Sequence, residues 1–529
     1  MLKSSGAMAG ATLTSRLLGM VREMVYARFM GDGWVAGAFQ VAFTIPNLFR
    51  RLLGEGALTA AFIPIFKEHE KKHGEAQMWR AANAVLSGLV VSATAVILAV
   101  VAGISLALAL HTFPEKSELM LQLLRLMFPY MLLVCLAAAF MGMLNARGHF
   151  FIPAMGATML NVVMIASVLW LAPKFGLNLP KDQRLPRQIF ALAIGVLVAG
   201  VAQAAFQLPT LWRDGFRYRW VAPWGNETVR RVVRQMIPGA IGVAAFQINV
   251  AVIQGLGFWL DTPRQPLIAP FNYAVRLMEL PQGVFGISLA TFLLPTLSGL
   301  AAERNFGEFR STLRHGILHL VLVNLLMSVL LVVLAEPIIR LLFERGKFGP
   351  DSTVRATLAL QCLGPSLVAY SIVNVLARAF YALGDTRTPM QISMACLALN
   401  LAFAVCLVWP FRQGGLGLAN TLSSAANVLL LLYALRRKLG RLDMQVLRRS
   451  LVPLAFAALL ATVVAWQAES LWRLQVGHST LSKKIGAVFV PATAAAAIYW
   501  LTALLARNPA AQEITGLVLH RFSRRSAKG

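Results

Sequence analysis

Residues 82–111 contain no Asp, Glu, Lys or Arg, and most of 312–336 is equally apolar. A helix needs about 20 mostly apolar residues to cross a bilayer. In hydrocarbon every backbone N–H and C=O must find a partner within the chain, so only helices and closed barrels cross it. These runs are continuous rather than alternating at period 2, which argues against a barrel. Composition agrees: 58% of the 529 residues are apolar and 13% are charged, against about 45–50% and about 25% in a soluble domain. A soluble enzyme, a disordered chain and a secreted disulfide scaffold are excluded. The four cysteines, Cys135, Cys362, Cys396 and Cys406, sit in apolar runs without CxxC spacing. They read as buried or lipid-facing residues, not disulfides or metal ligands.

The fold class expected is an all-α polytopic membrane protein with about fourteen transmembrane helices. Candidates lie near 6–30, 35–65, 82–111, 119–145, 153–173, 187–212, 231–260, 268–298, 312–336, 353–383, 390–410, 415–436, 449–467 and 485–506. Charges and glycines interrupt the first two and the eighth. Pro46, Pro64, Pro281 and Pro295 mark kinks or helix ends. The start does not read as a cleavable signal peptide, because Arg16, Arg22 and Glu23 interrupt it.

The net charge is +27. Without a basic, aromatic-interleaved domain, nucleic acid is not the expected partner. With an even number of spans and a cytoplasmic N-terminus, the cytoplasmic segments hold twice as many Lys and Arg as the outer loops. That bias places both termini in the cytoplasm. A faint repeat accompanies it: Pro64 matches Pro295 and Arg147 matches Arg378 at one common offset. Two parallel halves follow, 1–212 and 213–443, with the substrate site between them. Residues 444–529 hold the last two helices and a tail.

Arginines lie where lipid is expected: Arg16 and Arg22 in the first helix, Arg50 and Arg51 in the second, Arg276 in the eighth. Each would cost at least about 2.5–3.5 kcal/mol at mid-membrane, so such residues face a bundle interior or a wet cavity. A guanidinium stays charged and grips phosphate oxygens with two parallel bonds. The set suits an anionic, diphosphate-bearing substrate and not a cationic drug. The competing reading is local pairing: Arg51 with Glu55, Arg276 with Glu279, and Arg16 with Glu23 on one helix face. His315 and His319 are spaced as a metal pair but lack a third ligand, so no metal site is expected. Gly384–Pro389 reads as a turn and helix cap, and GDG at 31–33 as an outer turn. No P-loop, HEXXH or GxSxG is present, so the chain reads as a transporter and not an enzyme.

SRLLGMVREMVYARFMG (15–31), IPNLFRRLLGEGALTAAFIPIF (45–66), NYAVRLMELPQGVFGISLATFLLPTLS (272–298), LFERGKF (342–348) and FYALGDTRTP (380–389) closely resemble the MurJ (MviN) lipid II flippases. That family belongs to the multidrug/oligosaccharidyl-lipid/polysaccharide exporter superfamily. The resemblance implies two six-helix lobes in a V, plus a C-terminal helix pair forming a groove for an undecaprenyl tail. It implies a bacterial inner-membrane protein that carries lipid II, the undecaprenyl-diphosphate-linked disaccharide-pentapeptide, from the cytoplasmic to the periplasmic leaflet by alternating access. Cell-wall synthases are the protein partners it suggests. By motif, the cavity arginines fall on Arg16, Arg22, Arg50 and Arg276, with Ser15, Glu23 and Glu55 at supporting positions. Two positions depart: Gly37 and Val275 stand where many members carry aspartate. Their loss would leave the cavity more positive and weaken ion pairs used in gating. No cofactor is expected beyond a driving force, which the sequence leaves open between a coupling ion (sodium or proton) and the membrane potential. Some members bind sodium in the second lobe, and those ligands have no assignment here. The rivals are an exporter of another undecaprenyl-linked glycan, a cation-coupled multidrug antiporter, and a scaffold for cell-wall synthases.

Overall fold

A computed structural model describes residues 2–49, 59–440 and 444–516. Their side chains are described except at 2–9, 11–13, 59–60, 181–182, 238–243, 287–291 and 444–446. Among the described residues the regular elements are helices, without a strand. The chain divides into two compact units, 1–269 with 345–348, and 270–344 with 349–529.

The first unit holds α1 (Leu2–Met30), α2 (Trp34–Phe49), α3 (Thr59–Leu110), α4 (Glu115–Met127), α5 (Tyr130–Ala146), α6 (Phe151–Ala166), α7 (Lys181–Arg213) and α8 (Glu227–Leu260). Gly74 breaks α3, at φ 79° and ψ 174°, a conformation that costs glycine little and other residues much. Helices α4 and α5 meet at Pro129 with a 43° bend, where the missing N–H and the ring interrupt the ladder. An aromatic core of Phe62, Phe66, Trp79, Phe140 and Phe216 binds α3, α5 and the segment after α7. Helix α8 is fastened to this unit at both ends. Near its start, Arg231 pairs with Glu68 at 2.7 Å. At its finish, Lys116 Nζ donates to the carbonyls of Phe258, at 2.6 Å, and of Asp261, so a cation meets the negative end of the helix dipole.

Residues 345–348 join this unit through the end of α1. Lys347 N–H donates to the Arg28 carbonyl at 3.0 Å. Gly31 and Gly346 lie face to face with these backbones, both at positive φ (66° and 61°). A Cβ on Gly31 would fall 2.7 Å from the Lys347 carbonyl oxygen. The GDG turn and the LFERGKF segment are thus two halves of one close backbone contact.

The second unit holds α9 (Ile268–Pro281), α10 (Ile287–Ala302), α11 (Phe306–Val333), α12 (Ala335–Leu342), α13 (Pro350–Leu363), α14 (Ser366–Ala382), α15 (Arg387–Phe411), α16 (Gln413–Leu439), α17 (Met444–Gln475) and α18 (Leu481–Leu505). Pro281 closes α9 and a π-helical turn, Gln282–Gly286, follows it. Helices α13 and α14 bend by 40° at Gly364-Pro365. The final pair, α17 and α18, packs through alanines (Ala457, Ala461, Ala495, Ala503) onto α11, where Tyr499 Oη donates to the Leu322 carbonyl at 2.9 Å. The 384–389 turn acts as expected: Asp385 accepts from Thr388 N–H and Oγ1 at the start of α15 and from Lys438 Nζ at 2.7 Å.

Among the described residues, eight helices are long and apolar enough to cross a membrane, or up to ten if each bent pair is one span. The chain is therefore a multi-pass membrane protein. Three shorter apolar helices, Trp34–Phe49, Ala244–Leu260 and Phe292–Ala302, lie in the second, seventh and eighth candidate regions. Helix α1, with Arg16, Arg22 and Glu23, is not among either set. Charge interrupts α1, whereas the three shorter helices carry no Asp, Glu, Lys or Arg and fall short by length. Among the described residues the four cysteines form no disulfide, with Cys135 and Cys396 buried and Cys406 exposed.

Candidate functional site

Ser15, Gly19, Arg22 and Tyr26 recur at helical spacing along α1, and this stripe packs against α6. Arg22 is 11% exposed in its side chain and Glu23 is 9% exposed, so neither charge is left to bulk water. The Arg22 fork is held on two sides. Nη2 donates to Glu23 Oε1 at 2.5 Å, and Nη1 donates to Asn161 Oδ1 of α6 at 3.1 Å. The guanidinium also lies over the Tyr26 ring, 5.5 Å from its centroid, within cation–π range. Asn161 Nδ2 in turn donates to the Ser15 carbonyl at 3.1 Å. Tyr26 meets Phe39 of α2 edge-on at 5.9 Å, which ties the stripe to the second helix. Arg16 is half-buried one to two turns before Arg22 on the same helix.

In the second unit, Arg276 Nη1 donates to Glu279 Oε2 at 2.7 Å within α9. Their side chains are 43% and 41% exposed. The anticipated i, i+3 pair is therefore formed. Arg50, Arg51 and Glu55 lie outside the described residues. His319 carries no metal-type arrangement: its ring nitrogens face the His315 carbonyl at 2.8 Å and Glu513 at 3.3 Å. Among the described residues no three His, Cys, Asp or Glu side chains converge as metal ligands.

Gly37 has an acidic neighbour in space. A Cβ built there would lie 2.7 Å from Asp261 Oδ2. A carboxylate does stand beside this position, but it enters from the turn after α8. Asp261 is 2% exposed, and its Oδ1 accepts from the Leu267 N–H at 2.7 Å. A side chain at 37 would have to displace that carboxylate oxygen. Val275 is half-buried on α9.

Sequence reasoning missed Asn161 and Asp261. Asn161 had a visible signal, a lone amide within FIPAMGATMLNVVMIA. Asp261 had none, since its place beside Gly37 is set by the turn between α8 and α9.

Comparison with known proteins gives a consistent result. The family model described as lipid II flippase MurJ matches residues 26–505. A probable lipid II flippase MurJ from Haemophilus influenzae is 31% identical over 477 residues, covering 85% of this chain and 89% of that protein. The lipid II flippase MurJ of Burkholderia cenocepacia is 32% identical, covering 81% and 83%. Among solved structures, a lipid II flippase MurJ in an inward closed conformation superposes with TM-score 0.76 at 20% identity, covering 94% of this chain and 98% of that one. A multidrug resistance MATE family transporter of the MOP superfamily, inward-facing, superposes with TM-score 0.65 at 13% identity, covering 83% and 98%. At these identities the structures speak for the fold alone.

Proposed function

Because the chain belongs to the MurJ lipid II flippase family, a family of transporters and not of enzymes, we infer that it carries lipid II from the cytoplasmic to the outer leaflet of a bacterial inner membrane. The observation that carries this reading is the family match across residues 26–505. The matched region contains Arg276 and begins just after Arg22, leaving out only the ends of the chain. Both termini face the cytoplasm in this reading.

The chemistry of the substrate is a diphosphate between a sugar-peptide head and a long apolar tail. Arg16, Arg22, Arg50, Arg51 and Arg276 bind the diphosphate and head, with Ser15, Glu23, Glu55 and Glu279 in support. The tail stays among apolar side chains. Charge-assisted bonds from a guanidinium to phosphate oxygens form in pairs, and they hold at any physiological pH. The halves 1–212 and 213–443 rock in alternating access, and 444–529 serves the tail. No bond is made or broken. A sodium or proton gradient or the membrane potential supplies the drive, and cell-wall synthases take up the product. Expression of this chain in a host depleted of its own flippase tests the reading. Restored growth and cell shape are expected; lysis despite normal membrane levels would overturn it.

A further inference from the structure

Asn161 touches two functional positions of α1 at once, and no motif or charge pattern singles it out. The residue is 5% exposed. The two hydrogen bonds fix which way round the amide lies. Nδ2 faces an obligate acceptor, the Ser15 carbonyl, so Oδ1 must face Arg22, an obligate donor. The head sits opposite Gly19, where a Cβ would lie 3.8 Å from Nδ2 and 4.0 Å from Oδ1. Ser15, Gly19 and Arg22 therefore form a cradle on one face of α1 that accepts the Asn161 head.

We propose that Asn161 is a positioning residue for the substrate arginine Arg22: it holds the guanidinium in one orientation without cancelling its charge. This rests on the reading of Arg22 as a diphosphate ligand. The chemical type matters. Glu23 already lies on one edge of the guanidinium. A second carboxylate from α6 would grip it more strongly but leave the site net negative, opposing an anionic substrate. A neutral amide anchors the fork and adds no further negative charge to the site. The same amide fixes the Ser15 backbone, so α1 is held to α6 at two points one turn or more apart, which limits rotation of the arginine about the helix axis.

The test uses the purified full-length protein in nanodiscs. The probe is a short-chain lipid II analogue carrying the diphosphate on a farnesyl tail, and affinity is measured by titration. The variants are Asn161→Asp, Asn161→Leu, Arg22→Ala and the double variant Asn161→Asp with Arg22→Ala. The expected result is that Asn161→Asp and Asn161→Leu each weaken binding about tenfold or more, the equivalent of about 1.4 kcal/mol. The double variant binds no worse than Arg22→Ala, because partners acting through one group are not additive. If Arg22→Ala weakens binding but Asn161→Asp binds like wild type, the positioning role is wrong and the reading of Arg22 stands. Equal losses added together in the double variant would show that Asn161 acts elsewhere, and would also overturn it. If Arg22→Ala leaves affinity unchanged, the reading beneath the proposal fails. Should Asn161→Leu fail to fold, the near-isosteric Asn161→Asp decides alone.

Discussion

Replacing Arg276 by alanine separates a substrate ligand from a helix-stabilising residue. The structural stake is small. Arg276 and Glu279 form an i, i+3 pair at 2.7 Å with side chains 43% and 41% exposed. Pairs this open to solvent contribute about 0.2–1 kcal/mol, too little to unfold a multi-pass bundle. The binding stake is larger: one hydrogen bond to a charged group contributes about 1.5–3 kcal/mol. Losing it weakens binding roughly 10- to 150-fold, at 1.4 kcal/mol per decade. The assay is complementation of a flippase-depleted host, with membrane levels matched by immunoblot. Arg276→Ala is expected to abolish growth. Arg276→Lys is expected to be clearly impaired, because an ammonium keeps the charge but loses the planar fork. Glu279→Ala should be nearly neutral, and the double variant should fail as Arg276→Ala does. If removing Glu279 rescues Arg276→Ala, Arg276 is a structural partner and the reasoning is refuted.

Gly37→Asp is expected to cost about 1–3 kcal/mol of stability by overpacking, read as a lowered Tm and partly recovered by Asp261→Ala; an unchanged Tm would refute the steric account. Val275→Asp, at a half-buried position beside Arg276, should support growth at normal levels, so failure with the protein present would show that the departure at 275 is needed. The Lys438 ammonium holds the Asp385 carboxyl below the usual carboxylate range, helped by the Thr388 N–H. The sign follows: a carboxyl depressed in the folded state stabilises above its unfolded value and loses that contribution as pH falls through the folded one. The Tm gap between wild type and Lys438→Met should therefore narrow on acidification, and a constant gap would count against it. Reporter fusions within 67–80 and after residue 529 should both report cytoplasm; an outer signal from either would overturn the topology.

Much of the fold was legible because lipid imposes a simple rule. Long apolar runs such as 82–111 and most of 312–336 became the apolar stretches of α3 and α11. The Pro281 interruption was readable too, since a missing N–H leaves few choices. The 384–389 turn was legible as a cap from Asp385 and Thr388, but its lysine was not, because Lys438 arrives from the far end of α16. The packing of α8 on α3 was not readable, since by sequence α8 falls in the 213–443 half. At the candidate site the charges announced themselves. Arg22 and Arg276 stood out because each is expensive in lipid, and the Arg276–Glu279 pair followed from spacing. Their neutral and distant supports did not. Asn161 is separated from Arg22 by 139 positions, and only the packing of α6 on α1 brings them together. Asp261 is a second case: its carboxylate stands beside Gly37 only through the turn after α8, which a one-dimensional reading does not register.

The central claim is that this chain moves lipid II across the membrane, and the accessibility of lipid II on the outer face tests it most directly. A host whose own flippase is depleted should accumulate lipid II that an externally added lipid II-cleaving toxin cannot reach. Expression of this chain should return that pool to the toxin within the time needed for synthesis, and Arg22→Ala at equal membrane level should not. If lipid II stays protected while the wild-type chain is present at normal levels, or becomes equally accessible with Arg22→Ala, the account is contradicted.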